Sequence, residues 1–561
     1  MISRRHFLRL SSTLAGSVVV STALGGCQPL RSRDSLSAAQ FVHGVASGDP
    51  ASDSVLLWTR ATSAAGEAAL ELAWELAEDA GFARVIRRGQ AQATAERDYT
   101  VKVEARDLRP GTDYFYRFSA RDSQSVAGRT RTLPAAGVRR VRLAVFSCAN
   151  FPAGYFHAYR EGSRVADLDA FVHLGDYLYE YGTGGYATGR AHELGRSLPA
   201  DNSGELYSLA DYRKRYALYR TDPDLQALHA AAPCIAVWDD HEVANDAWRD
   251  GAENHSDEEG DFGERKLAAL RAWYEWLPVR PPVAEGSEQI YRSFDFGDLL
   301  SLHMLDTRII GRDRLLEYRD YVDSASGAMD QERFRNDLLR PGRSLLGGAQ
   351  LAWLGERLAA SEARWQLLGQ QVLMAKMHLP AELLGVEDLT DLPPLVAEFA
   401  ELKAALLQGA EIGAEQQARL QRVTPYNLDA WDGYPVEREQ LYALARQLGK
   451  RLVVLAGDTH NAWYSRLHDQ RGNEIGVELA TASVSSPGME QYLGLDDDAA
   501  RELAEAMALL VDELQYCNLH QRGFMLLTVT PGALESDWLF VDTTSDRSYL
   551  PAAGHRVVLE T

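Results

Sequence analysis

The sequence predicts a layered α/β (α+β) protein, a β core flanked by helices, with a small all-β domain ahead of it. Three observations predict this. Residues 41–134 alternate apolar and polar side chains, as in LELAWEL at 70–76 and YTVKVEA at 99–105. From Arg139 onward, short apolar runs alternate with helical stretches, the signature of layered α/β architecture. Four of those runs, VRLAVF, DAFVHL, PCIAVW and RLVVLA, end in short polar motifs. Runs of this composition read as buried strands.

The elements follow in order. Residues 1–27 are a targeting segment, set aside before fold reasoning. Ser3-Arg4-Arg5-His6-Phe7-Leu8 is a near-complete twin-arginine signal, followed by an uncharged stretch over 10–24 that is short for a membrane span. Leu24-Gly25-Gly26-Cys27 resembles a bacterial lipobox, which predicts a lipid anchor at Cys27; ordinary cleavage nearby is the alternative. The expected partner is the twin-arginine export machinery, and the expected location is the periplasm or cell envelope. Residues 28–40 are polar and read as a linker.

Within 41–134, a Pro110-Gly111 turn precedes alternating aromatics, which resembles the corner strand of an immunoglobulin- or fibronectin-like sandwich. His43 is expected to be structural, at the domain seam. The catalytic domain is expected over 139–550. Helices are predicted at 209–219, 224–231, 264–277, 349–358 and 436–448, and an inserted helical hairpin near the site at 395–420. Residues 182–204, rich in Gly, Ser and Asn, read as a mobile loop beside the site. The runs at 524–530 and 536–541 read as an antiparallel strand pair.

Composition narrows the function classes. The chain has 561 residues, with 80 acidic against 58 basic and a net charge of −22. That balance argues against a nucleic-acid partner, which needs a basic surface. Bound cations would have to reverse the field locally before an anionic substrate could settle. Of four cysteines, Cys148 lies at a strand end, where a ligand belongs. Cys234 lies inside an apolar run and reads as an inert buried thiol; a Cys234–Cys517 disulfide stays open.

Ligands of open α/β sheets gather beyond the carboxyl ends of strands. The four motifs there are Ser147-Cys148, Gly175-Asp176-Tyr177-Leu178-Tyr179-Glu180, Asp239-Asp240-His241-Glu242 and Gly457-Asp458-Thr459-His460. A Gly-Asp pair turns the chain sharply and projects a carboxylate, although one such pair alone is more often a plain turn. Tyr179 lies three residues beyond Asp176 and could face the same ion. Thiolate, carboxylate and phenolate around one ion favour iron(III), although softness alone would have allowed zinc. Asp240 can hold a second ion, and Asn245 offers the neutral oxygen that calcium accepts. His241 is the candidate acid for a leaving alkoxide. Asp458 and His460 are ligand candidates at the last strand end, whereas His173 is expected to point into packing and His378 stays unassigned. Arg265 could clamp a phosphate or simply lie on a solvated helix face. Trp431-Asp432-Gly433-Tyr434 is expected to be an aromatic lid.

These motifs, with the opening HGVASGDP and VLLWTR and the later DAWDGYP, resemble the PhoD-like alkaline phosphatases and phosphodiesterases. The resemblance covers nearly all of the chain after its signal. It implies a calcineurin-like metallophosphoesterase β-sandwich core flanked by helices, and hydrolysis of phosphomonoesters and phosphodiesters. It implies iron(III) with calcium as cofactors. Cys148, Asp176 and Tyr179 would then be iron-side ligands, and Asp176, Asp240 and Asn245 would serve calcium. Asp458 and His460 would complete the cluster, the ion of each left open. Metal-activated hydroxide would attack phosphorus in line, with Arg265 spreading charge and His241 assisting the leaving group. Two rivals stand beside this reading: a phospholipase-D-like esterase acting on lipid head groups, and a non-catalytic metal- or phosphate-binding surface protein.

Overall fold

The computed structural model describes residues 38–561 except 65, 283–287, 324, 325, 327 and 387–391. The expected export signal, Cys27 and most of the expected linker lie outside the described residues. Two large mixed sheets form the centre. The first has nine strands in the order Pro551–Glu560, Ala533–Val541, Arg522–Val529, Val141–Phe146, Ala170–His173, Cys234–Ala236, Val45–Gly48, Val55–Arg60 and Thr100–Ala105. The second has seven, in the order Arg292–Phe296, Leu300–Met304, Trp365–Gly369, Leu452–Ala456, Glu474–Ala480, Ala462–His468 and Leu514–Asn518. The middle strands of both run parallel, so their carboxyl ends open on one side.

Period-two alternation divides the second sheet between two cores. Val453, Leu455, Val477 and Leu479 pack with Leu143, Val145 and Val172 of the first sheet. Their neighbours Leu452, Val454 and Ala480 turn the other way, onto Leu354 and Leu358 of helix Gly348–Ala360 and Leu441 and Ala445 of helix Pro435–Gln447. The result is a β sandwich with helices outside it, the layered α/β fold expected. Three of the four motif-bearing strands are neighbours in the first sheet and the fourth lies in the second, so all four polar ends converge at one rim.

The helices form where periodicity and caps coincide. Ser208 and Asp211 build a capping box for Leu209–Tyr219, and Asp222 and Asp261 cap Pro223–Ala231 and Phe262–Trp276. The inserted pair is Leu392–Leu407 and Ala414–Gln421. A helix the pattern reading passed over, Asp497–Leu510, is capped by Asp496.

The N-terminal β region departs from a free-standing sandwich. Strands Val45–Gly48, Val55–Arg60 and Thr100–Ala105 continue the first large sheet, with Gly48 paired to Cys234. A Cβ at Gly48 would lie 2.4 Å from the Pro278 carbonyl oxygen, so this seam needs glycine. Ala69–Ala77, Val85–Thr94, Asp113–Ala120, Ser123–Gln124 and Gly128–Arg131 make a five-stranded sheet, and Ala39–Gln40 pairs separately with Thr62–Ser63. His43 is buried at the seam, edge-on to Trp276 at 5.2 Å.

One expectation is corrected here and one open question is answered. Trp431-Asp432-Gly433-Tyr434 is no lid: Trp431 and Tyr434 are buried in the second core, where the Trp431 indole donates to Gln370 at 2.7 Å. Loop-like composition hid a short 3₁₀ turn that starts helix Pro435–Gln447. Cys148, Cys234 and Cys517 are all free, buried thiols, so no Cys234–Cys517 disulfide exists.

Candidate metal centre

The rim is built from strained turns. Cys148, Asp176, Asp458 and His460 have φ of 60°, 55°, 62° and 65°, in the left-handed region. Each costs an L-residue about 1–2 kcal/mol, and such residues persist where the surroundings over-determine them, often at functional sites. Glu242 locks two of the turns together. Its carboxylate accepts from the backbone N–H of Asp176 (3.0 Å), Tyr177 (2.7 Å) and Asp239 (2.8 Å). Gly175 permits the approach, because a Cβ there would sit 2.3 Å from the Asp239 nitrogen.

The predicted ligands meet. One ligand atom each from Cys148, Asp176 and His460 lie within 4.8 Å of one another, as do those of Asp176, Asp240 and His241, and of Asp239, Asp240 and Asp458. Asp176 is common to the first two groups and Asp240 to the last two. Tyr179 joins the first group: its hydroxyl donates to Asp176 Oδ2 at 2.8 Å, lies 3.1 Å from His460 Nε2 and accepts from Ser486 Oγ at 2.7 Å. Asn245 lines the same cavity beside Asp240, its side-chain amide donating to Glu253 at 3.2 Å.

The imidazoles are oriented from behind. His460 Nδ1 is 2.7 Å from the Pro487 carbonyl and must donate to it, which leaves Nε2 as the free lone pair. His241 Nδ1 lies 2.7 Å from Glu180, again leaving Nε2 for the cavity. Tyr186 comes from the 182–204 loop, stacks near both rings and bonds the Pro487 carbonyl at 3.0 Å, so the loop is pinned to the site.

The donors fit a cation. Asp176 Oδ1 is buried with no hydrogen-bond partner among the described residues, an arrangement that is costly unless a positive charge sits there. Burial, then the Asp176 and Asp239 charges, push the Cys148 thiol up. Burial and Asp176 likewise raise the Tyr179 phenol. Only a strong local cation turns these groups into thiolate and phenolate. The third acidic group is different, because the buried Arg308 already serves it. Its guanidinium donates to Asp239 (2.5 Å), Asp458 (2.7 Å) and Asp429 (2.7 and 2.9 Å).

Arg265 is placed otherwise than either sequence reading allowed. It is buried, and its guanidinium bonds Tyr212 (3.2 Å), the Asn254 carbonyl (3.2 Å) and Glu205 (2.8 Å). It is not among the residues lining the cavity, because its helix turns that face inward. His173 is in packing, within 2.7 Å of the Tyr159 hydroxyl. His378 lies 3.4 Å from Asp432. Sequence reasoning missed Arg308, Asp429, Glu180 as partner of His241, and Tyr186. Arg308 had a usable signal: it follows strand Leu300–Met304 in the run Leu305-Asp306-Thr307-Arg308, another polar motif at a strand end.

Comparisons with known proteins identify the family. The family model described as PhoD-like phosphatase matches residues 143–538, and the model of that family's N-terminal domain matches 26–134. The chain belongs to the PhoD-like phosphatases. Alkaline phosphatase D of Bacillus subtilis (strain 168) is 33% identical over 556 residues, covering 95% of this chain and 84% of that protein. A solved structure of PhoD superposes with a TM-score of 0.72 at 30% identity, covering 93% of this chain and 90% of that one. As a PhoD-like phosphatase, the protein is a phosphoric ester hydrolase with candidate metal-ligand clusters.

Proposed function

We propose that this PhoD-like phosphatase hydrolyses phosphomonoesters and phosphodiesters at an iron(III)–calcium centre. The observation that carries the proposal is the sharing of Asp176 between the Cys148–His460 group and the Asp240–His241 group. Cys148, Asp176, Tyr179 and His460 would hold iron(III), since three anionic donors suit a trivalent ion. Asp176, Asp240 and Asn245, all oxygen donors, would hold calcium. Asp458 would serve the centre by fixing Arg308, whose guanidinium holds Asp239 and Asp429 as well.

When bound, such cations supply Lewis-acid polarisation of the phosphoryl oxygens and lower the pKa of water to give a nucleophile. The chain supplies the rest. Glu180 accepts a hydrogen bond from His241 Nδ1, fixes the ring and favours the imidazolium. Nε2 can then protonate the departing oxygen. Tyr186 and Tyr181 wall the cavity and limit water. Export is part of the reading: the Arg4-Arg5 motif supports twin-arginine transport to the periplasm or envelope, and Leu24-Gly25-Gly26-Cys27 supports lipid anchoring.

The test is elemental analysis of protein exported by its native route, paired with hydrolysis of p-nitrophenyl phosphate and its bis-ester. The expectation is about one equivalent of iron plus calcium, with activity lost on chelation. Zinc alone with full activity overturns the metal assignment. Replacing Arg4 and Arg5 together by Lys should hold the protein in the cytoplasm, and Cys27→Ser should release it from the membrane fraction.

A further inference from the structure

The cavity over the metal centre has a volume of about 420 Å³ and two unlike ends. The charged lining residues Asp176, Asp240, His241, Glu253, Asp458 and His460 cluster around the putting-together of the strand ends. The rest of the wall is mostly apolar and includes Leu384, Val396, Tyr492, Leu503, Met507 and Leu510. These come from the turn at Ala381–Gly385, the inserted helix Leu392–Leu407, the short helix Met489–Leu493 and the helix Asp497–Leu510. Leu384, Tyr492 and Leu503 are only half-buried, so the wall presents apolar surface to the cavity.

We propose that the esters cleaved here carry one apolar chain, alkyl or aryl, that lies along this wall while the phosphoryl group sits at the strand ends. The proposal rests on the phosphoesterase reading above and adds the class of substrate. Concave apolar surface next to a few convergent polar groups is the form of a ligand site. A sugar or glycerol moiety placed against Val396, Leu503 and Met507 would lose water and find few partners for its hydroxyls. A hydrocarbon chain loses nothing of that kind and gains from leaving water. The volume lies toward the low end of the roughly 300–1,000 Å³ typical of small-molecule sites, which suits a single chain.

The test is a series of p-nitrophenyl alkyl phosphodiesters from methyl to octyl, hydrolysed by the metal-loaded full chain. In each, water forms a new P–O bond, the P–O bond to nitrophenolate breaks, a proton goes to solvent and the alkyl phosphate remains. Each methylene buried should raise kcat/KM by up to about fourfold until the wall is covered. In Leu503→Gln, and separately in Leu384→Gln, the octyl-to-methyl ratio of kcat/KM should fall at least tenfold. Calorimetry should show octylphosphonate binding at least tenfold more tightly than methylphosphonate, with a negative heat-capacity change. A flat chain-length series with the methyl ester still hydrolysed overturns the apolar site alone. Loss of hydrolysis for every ester overturns the phosphoesterase reading as well.

Discussion

The Tyr179 hydroxyl donates a 2.8 Å hydrogen bond to Asp176 Oδ2 and lies 3.1 Å from His460 Nε2, which is itself 3.9 Å from that carboxylate oxygen. A phenol so placed either bridges two ligands or becomes one. Tyr179→Phe keeps the ring and its contact with His241 (centroids 4.2 Å apart) but removes the oxygen. For the iron centre proposed above, iron content and kcat/KM should each fall by about 10–100-fold, measured by elemental analysis and bis-ester hydrolysis. Unchanged iron content in the variant excludes Tyr179 from the centre.

Arg308 is fully buried among carboxylates that it neutralises. Arg308→Met fills a similar volume and leaves Asp239 and Asp458 uncompensated, whereas Asp429 keeps Arg312 as a partner. Removing one partner of a buried ion pair costs about 3–5 kcal/mol. The urea midpoint should drop accordingly, and the deficit should shrink at low pH, where the carboxylates can take protons.

Gly175 has φ +106°, and a Cβ there would press on the Asp239 nitrogen at 2.3 Å and the Trp238 carbonyl carbon at 2.7 Å. Both obstacles are backbone and cannot swing aside. Gly175→Ala should cost roughly 3 kcal/mol and separate the two turns that Glu242 joins. Thermal unfolding and metal content should fall together; a variant as stable as the parent shows that the turns have slack.

Acid should destabilise the fold through His43. Burial, then Arg60 and Arg220, lower its pKa to about 3. The folded state holds it neutral while the unfolded chain titrates near the ordinary value of about 6.5. The unfolded state therefore binds more protons between those values, and stability present above about pH 6.5 is lost as pH falls toward 3. His43→Gln should flatten that part of the denaturation–pH curve. An unchanged slope assigns the acid sensitivity to other groups, such as His173, which burial also lowers to about 3.

The legible parts of this protein were local ones. Val141–Phe146 and Leu452–Ala456 declare themselves by apolar runs, and Leu209–Tyr219 by a capping box, because each signal lies within a few residues of what it describes. The helix Asp497–Leu510 carried comparable signals, an Asp496 cap and apolar spacing, and was passed over beside the stronger strand patterns. Arg265 shows where local reading ends. Whether it faces phosphate or Glu205 is decided by how helix Phe262–Trp276 is rotated against Leu209–Tyr219, and the sequence of the helix does not contain its partner.

From its sequence alone, the chain determined which residue types stand at the strand ends, because a turn after an apolar run is a short-range matter. Tertiary structure decided their division of labour. Asp239 and Asp458 face a guanidinium, whereas Asp176 faces Cys148, Tyr179 and His460. Electrostatic partners in a buried site are set by separations of a few ångströms between segments up to hundreds of residues apart, and only the packing of the two sheets against each other establishes those.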